Sequence, residues 1–486
     1  MVSFNQIPNN LRVPLFYAEF DNSRAVQGVV TQDYKVLLIG PRLSTGTIAA
    51  LTPKVVTSAE QAQGYFGAGS VLADMIDYFL RNTRNIQITA VALDDLLAGV
   101  AATGTVTISG TPTASGVASF MIGGRNYKVN VSTSSTPTSL ASALSAAIMA
   151  DSLRLVNSSP SAGVVTLTAR NKGEQGNEID TRDSYFDGEA LPAGIAVAYS
   201  GMSSGAGNPD VSTVFPVLDE TQYILMQTPF LDAANLTAME TELADRFGPI
   251  RQNDGYAFYA KRASLGNLIT LGNSRNSQFT TIMGMSGPSN PWAFASAALG
   301  QIAFAASNDP ARPFQTLPMV GIYAPNMAES LTVEERNQLL YAGIATFYVA
   351  PGSVVSVEGV VTTYKQNAFG SPDTSYLYLN TPLTLSIIRF DLKARITQRF
   401  PRHKLANDGT RFAPGQAIVT PGTIKAEVVS KFRDWEELGW VENFEQFKED
   451  LIVERNANNP NRVDILMPPD LVNQLIIVGA KIQFLL

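Results

Sequence analysis

Residues 222–285 contain QYILMQ (222–227), a run at 233–247 with Leu236, Met239, Leu243 and Phe247 at helical spacing, YAFYAK (256–261) and FTTIMGM (279–285). Short continuous apolar runs alternating with an amphipathic helix predict buried strands joined by crossover helices, that is, a mainly parallel sheet covered on both faces. The alternation continues downstream. It passes through the apolar helix 292–306, MVGIYA (319–324) read as a strand, a helix opened by Thr332 and Glu335 at capping-box spacing, and IATFYVA (344–350). Upstream, KVLLIG (35–40) reads as a buried strand, and Val71, Leu72, Met75, Ile76, Phe79 and Leu80 share one helical face. The expected core is therefore a three-layer α/β unit built from residues 31–98 and 206–400.

Between these two parts the composition shifts. Residues 99–150 carry only Arg125 and Lys128 as charges, and Thr, Ser, Gly and Ala dominate. Alternating runs at 105–109 and 163–170 predict a small strand-rich domain inserted over 99–205. No short-period internal repeat is visible, which excludes a solenoid or propeller.

The chain has 486 residues, enough for about three domains. It has no cysteine and one histidine, His403, which removes thiolate chemistry and multi-histidine metal sites. Net charge is −7, so nucleic acid is not an expected partner. Charged residues are only 16% of the chain and hydrophobic ones 45%, leaving a surface with little to hold neighbours apart. The longest dense apolar run, 292–306, is 15 residues, short of the roughly 18–20 a spanning helix needs, so no membrane insertion is expected. No secretory signal is visible at the start. Extensive burial against other proteins explains the composition; a large monomer with a neutral Ser/Thr surface is the plainer alternative.

Candidate chemistry fails residue by residue. The loop from Gly40 to Thr47 has five residues between its glycines and no following lysine, so it is not a phosphate-binding loop. Gly67 and Gly69 before the Val71 helix make an ordinary helix entry, although such an N-terminus can also hold an anion. His403 sits between Arg402 and Lys404, which disfavour the imidazolium a general base must become. No catalytic, metal or cofactor-binding residue is assigned.

The last hundred residues carry opposed charge blocks, net +5 over 389–411 and net −5 over 431–454. Trp435, Trp440, Phe444 and Phe447 fall on one side of two short helices flanking Gly439, as core or as a partner surface. Residues 475–486, LIIVGAKIQFLL, alternate like a strand, and residues 14–21, PLFYAEFD, form a detached strand-like segment. A free apolar tail is an aggregation hazard unless something pairs with it.

The stretches PRHKLANDGTRFAPGQAIVTP (401–421) and WVENFEQFKEDLIVERNANNPNRVDILMPPDLVNQL (440–475) resemble the contractile tail sheath of Mu-like bacteriophages. The likeness extends, more weakly, to 13–26 and 66–75. It implies a subtilisin-like α/β core without protease activity, an inserted domain, and an α+β C-terminal domain over 401–470 bearing extended terminal arms at 1–30 and 471–486. It also implies stacked hexameric rings around a tail tube, with baseplate and tail terminator partners, in a virion tail assembled in the host cytoplasm. On this resemblance Leu15, Phe16, Tyr17, Phe20, Ile476, Ile477, Val478, Ile482 and Phe484 would be intersubunit arm strands. Lys431, Arg433, Asp434, Glu437, Glu442, Glu445 and Lys448 would mark the tube-facing helix region. The two charge blocks would supply complementary faces between subunits or meet within one. Alternatives are the sheath of a phage-tail-like bacteriocin or injection machine and, in another class, an α/β hydrolase.

Overall fold

The computed structural model describes residues 32–485, so the expected N-terminal arm, with Leu15, Phe16, Tyr17 and Phe20, lies outside the described residues. The chain opens with β1 (Lys35–Pro41), β2 (Lys54–Val56), α1 (Ala59–Phe66), α2 (Val71–Asn82) and β3 (Gln87–Leu93). There follow β4 (Thr103–Gly110), β5 (Gly116–Ile122), β6 (Arg125–Val131), α3 (Pro137–Ala150), β7 (Val156–Ser161), β8 (Val164–Ala169), β9 (Thr181–Asp183) and β10 (Ile195–Tyr199). The chain then returns to the first sheet. That part comprises α4 (Phe215–Leu218), β11 (Leu225–Gln227), α5 (Ala233–Phe247), β12 (Tyr256–Arg262), α6 (Leu265–Asn273), β13 (Thr280–Met285), α7 (Pro291–Asn308), α8 (Val333–Tyr341), β14 (Ile344–Ala350) and β15 (Val354–Gly359).

Eight strands form one sheet in the order β15-β14-β13-β12-β11-β1-β3-β2. From β14 to β3 all pairs are parallel, and β15 and β2 close the edges antiparallel. One face carries α2 and α7. A Cβ on Gly40 of β1 would meet Met75 and Leu72 at 3.2 and 3.3 Å, so glycine lets α2 lie close on the sheet. Phe294 of α7 meets Phe347 of β14 edge-on at 5.2 Å. On the opposite face Gly284 of β13 would touch Leu268 of α6 and Leu339 of α8. Helices on both faces make the expected three layers.

Burial of α7 on most of its circumference accounts for its uncharged sequence: Trp292, Phe294, Leu299 and Ile302 are all within the core. Each such side chain contributes about 1.5–3 kcal/mol of burial. Among the described residues no helix is long and apolar enough to cross a membrane.

Three sequence expectations change here. Residues 319–324 are not a strand but turn and irregular backbone. Gly321 takes φ +86°, where a Cβ would also crowd Arg81 and Tyr78, and the Tyr323 amide turns to Ser289 Oγ at 2.9 Å instead of a ladder partner. The run at 222–227 pairs only from Leu225. Within 99–205 the strand reading omitted α3, a Ser/Ala-rich helix fixed by a capping box at Thr136 and Ser139. Around it lie an antiparallel sheet β10-β4-β8-β7 and a second, β6-β5-β9.

Past the sheet, α9 (Asn380–Arg399) leads into β16 (Lys404–Leu405), β17 (Ile418–Val419), α10 (Pro421–Glu437), β18 (Val441–Glu442), α11 (Phe444–Asp450), β19 (Ile452–Arg455), β20 (Val463–Leu466) and β21 (Asp470–Leu471). This part has a hydrophobic cluster of its own, separate from the main core, around Ile388, Val428, Phe432, Trp435 and Phe447. The one long element joining the two is α9. At its start Asn380 donates to Pro310 O and Tyr256 OH donates to Pro382 O, both at 2.8 Å. At its middle Arg389 pairs with buried Asp254.

Candidate functional site

The C-terminal domain is where sequence pattern and exposure disagree most. Its aromatic repeat is core: Trp435, Trp440 and Phe447 are buried, and Phe432 stacks on Phe447 with ring centroids 3.9 Å apart. Trp435 Nε1 donates to Asp391 Oδ2 at 2.6 Å, and Lys431 Nζ reaches the same carboxylate at 2.7 Å. Lys431 is therefore taken up inside the subunit, 8% exposed, and leaves the anticipated tube-facing group. A buried carboxylate needs such donors, and a lysine stem covers apolar surface on the way. Sequence charge counts could not separate this lysine from its solvated neighbours.

The other six of that group are exposed. Arg433 lies over the Phe444 ring at 4.5 Å, Asp434 meets Lys431 at 3.1 Å, and Glu445 meets Lys448 at 3.7 Å. Glu437 and Glu442 have no ion pair among the described residues. Glu442 stands directly across the two-residue ladder from Asp470, a like-charged neighbour the sequence did not disclose.

Residues 475–485 form no helix, strand or bridge. The expected strand at 475–484 is thus not paired in its own subunit among the described residues. Ile477, Val478, Ile482 and Phe484 are 84, 76, 88 and 78% exposed, and Ile476 is half-exposed. The one side chain holding the root of this segment is Gln315, whose Nε2 donates to Leu475 O at 3.2 Å. In the same domain, the β19–β20 hairpin carries Ile452 opposite Leu466, both exposed.

The two charge blocks do not neutralise each other. Arg395 and Arg399 pair with Glu427, and Arg389 with Asp254; among the described residues no cation of 389–411 pairs with an acid of 431–454.

Several places where chemistry could reside are filled by the protein itself. The helix entry at Gly67–Ser70 is capped by Ser70 Oγ, and the Val71 amide donates to Asn171 Oδ1 at 3.1 Å. That asparagine comes from the inserted segment. Arg170 of the same segment reaches Ala68 O, and Asn290 beside α7 donates to Gly123 O at 3.0 Å. Residues 99–205 thereby cover the carboxyl ends of β1 and β12, part of the edge where open α/β sheets bind ligands, while a cavity lined by Pro325, Leu331, Arg336 and Tyr348 lies beside β13 and β14. His403 lies edge-on against Phe400 in an exposed loop, with no carboxylate or hydroxyl bonded to it among the described residues. Among those residues no group of three or more acidic or histidine side chains is placed to hold a metal ion.

Family models cover most of the chain. A phage tail sheath protein beta-sandwich domain matches residues 98–196, a phage tail sheath protein central domain 204–363, and a phage tail sheath C-terminal domain 371–484. The Mu-like prophage FluMu tail sheath protein of Haemophilus influenzae is 43% identical over 486 residues, covering 100% of both chains. In fold, the chain is similar to the anti-feeding prophage helical sheath in the contracted state, with TM-score 0.51, 10% identity, and 97% and 99% of the two chains covered. The PVC sheath complex of an extracellular contractile injection system, also contracted, gives TM-score 0.51 at 9% identity over 97% and 98%. Identity of this extent along both sequences settles the family: the chain belongs to the phage tail sheath proteins.

Proposed function

We propose that the protein is the repeating subunit of a contractile tail sheath, polymerising in stacked hexameric rings around a tail tube and contracting to drive the tube through the host envelope. The observation that carries this reading is the C-terminal segment, unpaired among the described residues. A run of alternating apolar side chains held in solvent is a liability in a monomer and an asset in a polymer, because a neighbour's sheet edge can take it as an added strand. Ile476, Ile477, Val478, Ile482 and Phe484 are the proposed donated strand, and the β19–β20 hairpin, with Ile452 and Leu466 exposed, is its proposed acceptor. The N-terminal arm at 14–21 is proposed to act in the same way. Such a contact is head-to-tail, so it propagates rather than closing on two copies.

In this reading the arms flex while the α/β bodies slide against one another, and contraction is driven by the growth of buried interface, with no nucleotide hydrolysed. The extended sheath is a kinetically trapped state released at the baseplate. The face bearing Arg433, Asp434, Glu437, Glu442, Glu445 and Lys448 is proposed to lie toward the tube. The core is read as subtilisin-like in layout and non-enzymatic, with the ends of β1 and β12 covered by the inserted segment. Tube, baseplate and terminator proteins are the proposed partners, with assembly in the bacterial cytoplasm. The sheath of a bacteriocin or injection machine is the second reading, favoured by the two contracted-system structures of like fold.

Deleting residues 475–486 tests the arm assignment. The shortened chain should fold, with unchanged far-ultraviolet circular dichroism, and stay unpolymerised in negative-stain images. Normal cylinders from that truncation would remove the basis of the assignment.

A further inference from the structure

The carboxyl end of α10 carries the charge that its own stability disfavours. Helix N-termini favour acids and C-termini favour cations, because the aligned peptide dipoles leave partial positive and negative charge there. Yet α10 has no basic residue in its last turn and ends on Glu436 and Glu437, with Glu442 just beyond and Asp470 across the ladder from it. Like charges directly opposite each other on paired strands add to the cost.

The chain leading into the other end is basic. The loop entering α10 carries Arg402, Lys404 and Arg411, all exposed and without an ion pair among the described residues. The loop's one carboxylate, Asp408, is already committed to the Gly422 amide at 3.0 Å in the first turn. The two ends are separated by most of α10's length, about 20 Å at 1.5 Å per residue. One subunit therefore cannot bring its own basic loop onto its own acidic end. Salt screens exposed charges over about 8–10 Å, so the two ends do not relieve each other at a distance either.

We propose that these ends are the two halves of a contact between copies, the Arg402/Lys404/Arg411 loop of one subunit docking on the Glu436/Glu437/Glu442 end of the next. The occupant of each end is a second copy of this chain, chosen by charge complementarity between two surfaces left unsatisfied in the monomer. The contact uses different patches on the two partners, so it repeats along a polymer. It rests on the sheath reading and revises one part of it: Glu437 and Glu442 leave the tube-facing group and take a cation from the neighbouring subunit.

Two charge-reversed full-length proteins test this. One carries Glu436→Lys, Glu437→Lys and Glu442→Lys; the other carries Arg402→Glu, Lys404→Glu and Arg411→Glu. Sedimentation and negative-stain imaging at low salt, with and without tail tubes, should show the critical concentration of each alone raised about tenfold. Mixing the two in equal amounts should restore assembly, because every contact then joins opposite charges. The first variant should also melt at or above the wild-type temperature, since it corrects the helix polarity, and this separates lost docking from lost folding. Assembly of either variant at the wild-type concentration, or no recovery on mixing, would overturn the proposal. So would a first variant that forms empty polymers normally but no longer coats tubes, because the acidic end would then serve the tube. A wild-type protein that never polymerises would instead overturn the sheath reading, and this contact with it.

Discussion

Asp74 is held away from water on α2, where Trp292 Nε1 donates to it at 2.8 Å and Arg125 of the inserted segment stands 4.0 Å away. Burial pushes its carboxyl above the ordinary range, against the opposing pull of Arg125 and of the Trp292 hydrogen bond. A carboxyl whose folded pKa is raised favours the fold while protonated, and that contribution is lost as pH climbs from about 4 through the raised value. Asp74→Asn keeps an acceptor for Trp292 and cannot ionise. Its melting temperature relative to wild type should rise from pH 4 to pH 8; a constant difference would show that Asp74 does not titrate in this window. Lys431 is the opposite case, a cation whose removal strands Asp391 beside Trp435. Lys431→Ala should cost about 3 kcal/mol in urea unfolding followed by tryptophan fluorescence, because breaking one side of a buried pair leaves the other uncompensated.

Elements whose sequence pattern is local were the legible ones. The helix Ala233–Phe247 lies where its Leu and Met spacing puts it, and the Thr332–Glu335 box opens α8 as anticipated, so Thr332→Ala should lower stability by about 1 kcal/mol in thermal melts. Illegible elements depended on distant partners. MVGIYA has strand composition, but after Met319, whose amide donates to Val355 O of β15, Ser289 and the glycine at 321 turn its backbone aside. At the C-terminus the alternation was plain in the sequence, while its lack of a partner among the described residues was not. Lys431 among equally charged neighbours could be separated from them only by knowing that Asp391, forty residues earlier in the chain, lies beside it. The exposed terminal segment carries a prediction of its own. Ile477→Asp with Ile482→Asp should leave the subunit's melting temperature within a degree or two, since neither side chain is buried, and should keep it dispersed in light scattering at concentrations where wild type polymerises.

On the scale of the whole molecule, two hydrophobic cores are coupled through α9, with Asp254, Ser386 and Arg389 on one side and Asp391, Lys431 and Glu427 on the other. Arg389→Ala strands the Asp254 carboxylate at the seam, and calorimetry should then resolve two melting transitions where wild type shows one. The layout of the main sheet was legible as a class, from strand-helix alternation; its order was not, because strand order follows tertiary packing rather than any local run of residues. That order bears on how the protein is made. Strand β1 lies between β3 and β11, and its register pairs Leu37 with Met226. On the ribosome, β1 emerges long before the strand that completes its second edge, and the whole inserted segment is synthesised in between. The nascent chain must therefore keep one flank of its central strand open through that interval, and a chaperone or early folding of the insert is what would guard it from its neighbours on the polysome.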